Sequence, residues 1–363
     1  MAKKISFIIA RHHGSGVPLA QIRLAKALRR HGYQVEFVIG FVPDDLLVPV
    51  IEGIRVINLN VSRTYKLIFP IISHIKEFQP DVIFTAEDHL NAVVAFAAIL
   101  AFSKVKISAS SRLTPYRVYP NKVFAKSWIM KWSNILVRKR IDALVCVSKD
   151  MAEQYRELLG SPRYQCIYNL IVDADFPQKM HESVNDDWMT DNAIPVVIAA
   201  GTLNRRKGFS DLILAIKIVT QSLNARLVIL GEGPRRRELQ DLIEKEGLVE
   251  TVRLLGFQDN AIKYFSRSKV FVLSSYAEGL PNVLVEAIAS GCTPVSTDCP
   301  TGPREVLQDG RFGYLVPMHD PQSMAVAIKR ALENPISLES IKEIVGPFTE
   351  EAVIRKHQDV LGF

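Results

Sequence analysis

Unbroken apolar runs alternate with helical stripes along the first half of the chain. Residues 5–10 form a continuous apolar run, which is typical of a strand buried on both faces of a parallel sheet. Segment 19–30 has apolar residues at the spacing of one helix face, and Gly32 follows it as a stop signal. Further strand-like runs lie at 34–39, 55–59, 82–85, 106–109 and 143–147. The pattern predicts a doubly wound α/β domain over residues 1–172.

The second half repeats this alternation after a break. Residues 173–195 are polar, acidic and weakly periodic, which predicts a connection between domains. Strand-like runs then follow at 195–200, 226–230, 252–255, 270–273, 293–296 and 313–316. We expect a second doubly wound domain over 196–346. Segment 347–363 is a final helix, with Thr349 as its N-cap and two glutamates in its first turn.

Charge is distributed unevenly between the two halves. The chain has 363 residues and a net charge of +7, with 48% hydrophobic and 23% charged residues, as is ordinary for a two-domain globular protein. Residues 1–190 hold 25 Lys and Arg against 17 Asp and Glu, which leaves 20 against 21 for the remainder. A basic half indicates an anionic partner: nucleic acid, a membrane surface or a phosphorylated acceptor.

Cysteine spacing and the lengths of the apolar runs indicate the cellular compartment in which the protein is expected. The four cysteines contain no CxxC pair, which favours reduced thiols and a cytoplasmic location. The apolar run at 5–10 is too short for a signal peptide, and the run at 92–102 is too short to span a bilayer.

Segment 112–140 mixes aromatic and basic residues. Its large apolar side chains, including Trp128 and Trp132, fall on one helical face. One interpretation is an interfacial helix on anionic lipid, which would make the protein peripheral on the inner face of the plasma membrane. The equal alternative is a helix that packs its aromatics into the core. Nucleic acid is less favoured because no nucleic-acid fold motif is present.

Two glutamates frame the most informative segment, 276–291. Glu278 lies in a predicted turn and Glu286 lies inside an apolar helix that Pro281 is suited to start. The free N–H groups of that first turn would attract an anion, and a buried carboxylate needs a polar partner. The two carboxylates could therefore meet the two ends of a sugar nucleotide. The alternative is a solvated loop glutamate and a local helix salt bridge.

A run of cations, Arg205, Arg206 and Lys207, follows the strand that ends near Ala200 and precedes a helix. That arrangement suits a diphosphate, although a solvated basic turn is the alternative. The glycine turn at 13–16 is not a dinucleotide fingerprint, because Leu19 stands where the third glycine belongs. Its small residues would still allow backbone N–H groups to approach a ligand.

These segments together resemble the retaining GT-B glycosyltransferases of family 4. The resemblance covers nearly the whole chain and is most specific from 199 to 317. It is carried by Gly201 with Lys207-Gly208, by the 230–234 turn, by 255–257, by the Glu278/Glu286 pair as E-x7-E, and by 291–295, 303–305 and 313–316.

The resemblance implies two Rossmann-like domains facing each other across a cleft, with the C-terminal helix returning to the N-terminal, acceptor-binding domain. Lys207 and Arg206 would neutralise the donor diphosphate, Glu286 would hold the ribose, and Glu278 would bind sugar hydroxyls. The remaining donor-binding residues would be Gly14, Gly16, Thr202, Gly256, Phe257, Gly279, Leu280, Pro281 and Asn282. No metal or other cofactor is implied.

Two departures from the family pattern concern the phosphate and acceptor sides. Thr202 stands where many members have arginine, and no histidine follows the strand near 106–109. Arg112 lies there instead, in a Ser-x-Arg-x-x-Pro pattern of polysaccharide and lipopolysaccharide enzymes, and it would face the acceptor or the donor phosphates. Asp88 and His89 would border the acceptor. The resemblance thus implies transfer from a nucleotide sugar, expected to be a UDP-sugar, to a lipid-linked or lipopolysaccharide-type glycan. The alternatives are a non-catalytic nucleotide-sugar or glycan binder and a GT-B sugar-nucleotide epimerase.

Overall fold

The chain forms two α/β units in a computed structural model that describes residues 2–12, 16–119, 126–191 and 193–363. Unit 1 comprises residues up to Asp173 together with Thr349–Phe363, and unit 2 comprises Ala174–Phe348.

Unit 1 contains a sheet of seven described strands. The strands are β1 Lys4–Arg11, β2 Gln34–Phe41, β3 Arg55–Asn58, β4 Val82–Ala86, β5 Lys106–Ser111, β6 Ala143–Cys146 and β7 Tyr164–Cys166. The α-helices are α1 Gly16–Arg30, α2 Ile68–Phe78, α3 Asp88–Leu100, α4 Pro115–Val118, α5 Lys126–Val137, α6 Lys149–Leu159 and, from the chain end, α16 Glu350–Leu361. Short 3₁₀ turns cover Thr64–Leu67 and Arg138–Arg140.

The unit 1 sheet is parallel, in the order β3-β2-β1-β4-β5-β6-β7. The order reverses between β1 and β4, and such a reversal opens a crevice at the carboxyl ends of the strands in doubly wound sheets. Helix α16 packs Val353, Ile354 and Leu361 into the same core as β1, β2 and α1. The predicted return of the last helix to the N-terminal domain is confirmed. Strand β7 was not predicted, because three residues are too few to show a period.

Unit 2 contains a sheet of six described strands. They are β8 Val196–Ala200, β9 Arg226–Leu230, β10 Val252–Gly256, β11 Val270–Leu273, β12 Thr293–Thr297 and β13 Tyr314–Val316. The helices are α7 Phe176–His181, α8 Asp187–Thr190, α9 Phe209–Val219, α10 Arg236–Lys245, α11 Ile262–Phe265, α12 Asn282–Ala289, α13 Pro303–Val306, α14 Pro321–Glu333 and α15 Leu338–Val345, with 3₁₀ turns at Arg205–Lys207 and Gly346–Phe348.

The unit 2 sheet is also parallel, in the order β10-β9-β8-β11-β12-β13, and it reverses between β8 and β11. Its strands are apolar because helices cover both faces, as the core formed by α9, α14 and the strands requires. The two parallel doubly wound sheets confirm the predicted fold class.

The segment 173–195 is more ordered than its sequence predicts. Helices α7 and α8 lie within it, and Phe176, Trp188 and Met189 are buried. Arg253 pairs with Asp186 and stacks on the Trp188 ring, 4.0 Å from its centroid. Residues from 174 onwards therefore belong to unit 2. Periodicity did not reveal this, because each helix is only about one turn long.

No helix in the described part of the chain is long and apolar enough to cross a membrane.

Candidate active site

The carboxyl edge of unit 2 brings Lys207 and Glu278 together. Lys207 follows β8 and Glu278 follows β11, the two strands that flank the reversal of strand order. Lys207 Nζ donates to Glu278 Oε1 at 2.6 Å, and the two side chains are 12% and 10% exposed. An ion pair with this limited access to water is stronger than one in free solvent. It remains reachable by a ligand that offers either partner a better contact.

Backbone contacts hold the two loops of this pair against each other. Ser274 Oγ donates to the Lys207 carbonyl at 2.7 Å, and the Tyr276 N–H donates to the Arg206 carbonyl at 2.8 Å. Gly208 has a φ of +62°, and a Cβ there would lie 2.0 Å from the Ser274 carbonyl oxygen. Only glycine allows this approach, so the Lys207-Gly208 pair fixes where the lysine emerges.

The other predicted phosphate-side residues lie on neighbouring loops of the same edge. Arg206 and Thr202 are exposed on the loop after β8. Gly256 ends β10, and Phe257 follows it with a ring that is 66% exposed. The Asn204 Oδ1 and Ser275 Oγ atoms are buried and have no partner among the described protein groups. Polar groups of this kind favour a polar ligand at this edge.

Loop 279–281 leads into α12 as predicted, with two differences. Helix α12 begins at Asn282, and Pro281 is its N-cap residue rather than its first helical residue. Glu286 is half-buried, on the face opposite Leu284, Val285 and Ile288. The sequence predicts a buried helix, whereas only one side of this short helix faces the core.

The turn at 300–302 supports the Glu278 loop, a role that the sequence did not indicate. Thr301 Oγ1 donates to the Glu278 carbonyl. Gly302 has a φ of +88°, and a Cβ there would lie 2.4 Å from the Gly279 carbonyl oxygen. The match at 303–305 was the only signal near this turn, and it did not point to Thr301.

At the carboxyl edge of unit 1, Asp88 is enclosed by protein groups. Asp88 is buried, and it accepts hydrogen bonds from Ser111 Oγ at 2.6 Å and from the Tyr155 hydroxyl. Burial raises its pKa, and these two hydrogen bonds oppose the rise. The carboxylate anchors the start of α3 and does not face outward toward an acceptor. The assignment of Asp88 to the acceptor side stays a prediction, as does that of His89, whose side chain is 43% exposed.

Glu87 was missed by the sequence analysis. It follows β4 at the reversal of the unit 1 sheet, with a φ of +80° and a ψ of 129°. Such a backbone is strained for a residue with a long side chain, and strain of this kind clusters at functional sites. Its carboxylate is 34% exposed and lies 3.9 Å from His89 Nε2. No sequence pattern indicates a positive φ at a glutamate.

Arg112 follows β5, next to β4 in the same sheet. Its Nη1 donates to Asn169 Oδ1, while its Nε is buried without a protein partner among the described residues. Burial lowers the pKa of Arg112 to about 10, and the nearby Glu87 opposes that shift.

Of the two predicted loop glycines, Gly16 begins α1 after β1. Gly14 lies outside the described residues.

Helix α5 turns its aromatic face outward. Trp128 and Trp132 are partly exposed and meet edge to face, with ring centroids 6.0 Å apart, and Ile129 and Leu136 are exposed beside them. The interpretation that these aromatics pack into the core is wrong. Residues 120–125 of the predicted segment lie outside the described residues.

In the part of the chain that the structure describes, no group of three or more His, Cys, Asp or Glu side chains is arranged so that it could hold a metal ion.

Two family models match the chain. "Glycosyltransferase Family 4" matches residues 15–174, and "Glycosyl transferases group 1" matches residues 186–345. The first therefore falls in unit 1 and the second in unit 2.

Individual proteins similar to this chain carry transferase names. An uncharacterized glycosyltransferase of Methanocaldococcus jannaschii is 32% identical over 68% of this chain and 62% of its own length. The N-acetylgalactosamine-N,N'-diacetylbacillosaminyl-diphospho-undecaprenol 4-alpha-N-acetylgalactosaminyltransferase of Campylobacter jejuni is 32% identical over 66% of this chain and 64% of its own. The matches thus span slightly less than two thirds of these relatives.

Among solved structures, Anabaena Alr3699/HepE in complex with UDP matches with a TM-score of 0.77 and 17% identity, over 99% of both chains. At this identity the match concerns the fold.

Proposed function

Because the chain belongs to the family 4, group 1 glycosyltransferases and has their GT-B fold, we propose that it is a retaining hexosyltransferase. Its donor is a nucleotide sugar, expected to be a UDP-sugar, and its acceptor is a lipid-linked or lipopolysaccharide-type glycan.

The observation that carries this proposal is the Lys207–Glu278 ion pair at the switch point of the unit 2 sheet. Ligands of doubly wound sheets bind at this place, outside the carboxyl ends of the strands. A lysine there can neutralise phosphate, and a carboxylate can accept hydrogen bonds from hydroxyl groups. One pair of side chains can thus bind both the phosphates and the sugar hydroxyl groups of a sugar nucleotide.

Donor binding exchanges the partners of this pair. The diphosphate takes Lys207, with the exposed Arg206 on the same loop as a second cation. The Glu278 carboxylate then accepts from donor-sugar hydroxyls, and the half-buried Glu286 on α12 takes the ribose hydroxyls. After exchange the diphosphate neutralises Lys207 and the hydroxyl groups hydrogen-bond the Glu278 carboxylate, so neither side chain is left without a polar partner in a partly buried site.

Catalysis in this proposal is stabilisation of the leaving group. Negative charge develops on the diphosphate as the glycosidic bond breaks, and fixed positive charge lowers that barrier. The acceptor attacks from the face that the diphosphate leaves, and the departing phosphate helps to take the acceptor proton, so the anomeric configuration is retained. Lysine and backbone N–H groups supply the charge, and we expect activity without a divalent metal.

Acceptor binding belongs to unit 1 in this proposal. Arg112, His89 and Glu87 lie at its carboxyl edge, and the unit carries the basic excess of the chain. The named substrate of the Campylobacter jejuni relative is a diphospho-undecaprenol glycan, a lipid-linked anion of the kind that such a surface would favour.

A membrane surface fits the outer helices of unit 1. Trp128 and Trp132 on α5 are partly exposed, Phe102 after the neighbouring helix α3 is 95% exposed, and Lys104 and Lys139 are also exposed. Tryptophan with basic residues is typical of helices at anionic interfaces. Sedimentation with vesicles containing anionic lipid tests this, with the double variant Trp128→Ser and Trp132→Ser expected to remain in the supernatant.

A donor screen followed by product analysis tests the proposed reaction. We expect UDP and one UDP-sugar to raise the melting temperature, with and without EDTA, because a ligand of the native state stabilises it by mass action. Transfer from that sugar to a lipid-linked glycan should give a product with the donor's anomeric configuration by NMR. Binding without turnover would indicate a nucleotide-sugar binder, and loss of the donor without an acceptor would indicate an epimerase or hydrolase. Either result would contradict the proposal.

A further inference from the structure

A small cavity lies inside unit 1, on the side of the sheet that α1 and α16 cover. Its wall includes Gln21 of α1, Ser110 of β5, Arg112, and both Val353 and His357 of α16. The centre of a water molecule has about 20 Å³ in which to move there. A buried water needs about 10–15 Å³ by that measure, so the cavity has room for one or two water molecules.

Five residues in this wall carry a buried polar side-chain atom without a hydrogen-bond partner among the described protein groups. Thr85 pairs with Ala109 in the sheet, so its side chain lies on the face opposite Ser110, and four such atoms remain. Gln21 Oε1, Ser110 Oγ, Arg112 Nε and His357 Nδ1 are buried and have no hydrogen-bond partner among the described protein groups. The residues Gln21, Ser110 and His357 are 2%, 6% and 6% exposed. They come from three separate elements, so no local turn or helix bond can satisfy them.

Four unmet polar atoms around one space point to a polar occupant. Buried polar groups in native proteins are almost always hydrogen-bonded, because an unpaired group loses its hydrogen bonds to water and gains none in the folded protein. A buried water makes about three hydrogen bonds, within a range of two to four. One or two waters therefore match both the volume and the number of unmet atoms.

The occupant also matters for Arg112. The guanidinium is fixed on one side by Asn169 through Nη1, and Arg112 lines the cavity with an Nε that is buried and has no partner among the described groups. His357 reaches the same cavity from α16, where its ring meets Phe84 edge to face with centroids 5.0 Å apart. A bridging water would thus connect the last helix of the chain to an arginine at the carboxyl edge of the sheet.

We propose that this cavity is a permanent water site whose one or two molecules bridge His357, Gln21 and Ser110 to the Arg112 Nε, which makes His357 a positioning residue for Arg112. The water site itself is independent of the reaction. The positioning role rests on the proposed function, because it assumes that Arg112 contacts the acceptor.

Neighbouring serines on β5 provide the first test. Ser111 Oγ has a protein partner in Asp88, whereas Ser110 Oγ has none among the described groups. Ser111→Ala must lower the melting temperature, and it calibrates the loss of one buried hydrogen bond. If water bonds Ser110, Ser110→Ala also lowers the melting temperature, by about 2–4 °C for a unit of this size. An unchanged or raised melting temperature in Ser110→Ala would overturn the water site. Removing a buried hydroxyl that has no hydrogen bond removes its desolvation cost and does not destabilise the protein.

A double variant tests whether the atoms share the water. Ser110→Ala and His357→Leu should shift the melting temperature less together than the sum of the single shifts, because the second change acts on a network that is already broken. Additive shifts would overturn the bridge.

A crystal structure at atomic resolution should show water density within hydrogen-bond distance of at least three of the four atoms. An empty cavity there would also overturn the proposal.

Two variants on α16 test the positioning role. His357→Leu removes a polar partner, and Val353→Ala enlarges the same cavity without removing one. We expect His357→Leu to raise the acceptor KM about tenfold, as for one hydrogen bond to a charged group, with the donor KM unchanged. Val353→Ala should lower stability only. Equal acceptor KM values in the two variants would overturn the positioning role.

The water site and the proposed function can fail separately. A stabilising UDP effect together with a neutral Ser110→Ala would remove the water site alone. A destabilising Ser110→Ala in a protein that transfers no sugar would remove the proposed function, and the positioning role with it.

Discussion

The two parallel sheets reverse strand order in the same way, yet the polar groups at their reversals are held differently. In unit 2, Lys207 and Glu278 neutralise each other at 2.6 Å and stay partly exposed. In unit 1, Asp88 is buried under Tyr155 and Ser111, and Arg112 is largely enclosed by protein. A ligand can replace one partner of the first pair without breaking any backbone contact. The charges of unit 1 are part of the packing, so a ligand there must meet groups that are already fixed in place.

This difference assigns separate tasks to the two edges. An exchangeable ion pair suits a donor that arrives and leaves in each catalytic cycle. A fixed arginine suits orientation of an acceptor, because less side-chain freedom is lost on binding.

The largest expected effect is at the exchangeable pair. Lys207→Ala should lower kcat by about 10²–10³-fold, as for removal of one group that stabilises developing negative charge. Radiolabelled sugar transfer at saturating donor measures it. The matched control is Lys217→Ala, since Lys217 also meets a glutamate at 2.6 Å but lies exposed on α9. Full activity in Lys207→Ala would contradict the assignment of donor binding to the carboxyl edge of unit 2.

Acid stability sharpens the comparison from the unit 1 side. Burial, together with the positive charge of the neighbouring Arg112, lowers the pKa of His357 to about 3. A depressed histidine pKa contributes stability that is complete above the ordinary value of about 6.5 and is lost as the pH falls toward the folded value. The melting temperature of the wild type should therefore fall more steeply than that of His357→Leu between pH 6.5 and pH 4. Parallel curves would contradict a neutral, enclosed His357.

The smallest expected effect concerns backbone strain at Glu87. Glycine adopts a φ near +80° without a side-chain penalty, so Glu87→Gly should raise the free energy of unfolding by about 1 kcal/mol while lowering acceptor use. Urea denaturation and the acceptor KM measure the two effects. Glu87→Ala is the control that removes the carboxylate and keeps the strain. A destabilised Glu87→Gly would show that the turn is not strained.

Features that depend on one continuous segment could be predicted from the sequence, and features that depend on distant segments could not. The Lys207-Gly208 and Glu278–Glu286 patterns were readable because each lies in one turn and the helix that follows it. The burial of Asp88 was not predicted, because it depends on Tyr155, 67 positions away. Glu87 and the short helices α7 and α8 were missed because a positive φ and single-turn helices have no period. The cavity beside Arg112 draws on segments from 21 to 357, and only the fold brings them together.

Calorimetric titration of UDP into the wild type, Lys207→Ala and Glu278→Gln tests the central claim most directly. UDP carries the diphosphate without the sugar, so it needs Lys207 but gains nothing from Glu278. The account predicts binding to the wild type, much weaker binding to Lys207→Ala, and tighter binding to Glu278→Gln, because the competing carboxylate charge is gone. Unchanged UDP affinity in both variants would contradict a diphosphate site at this pair.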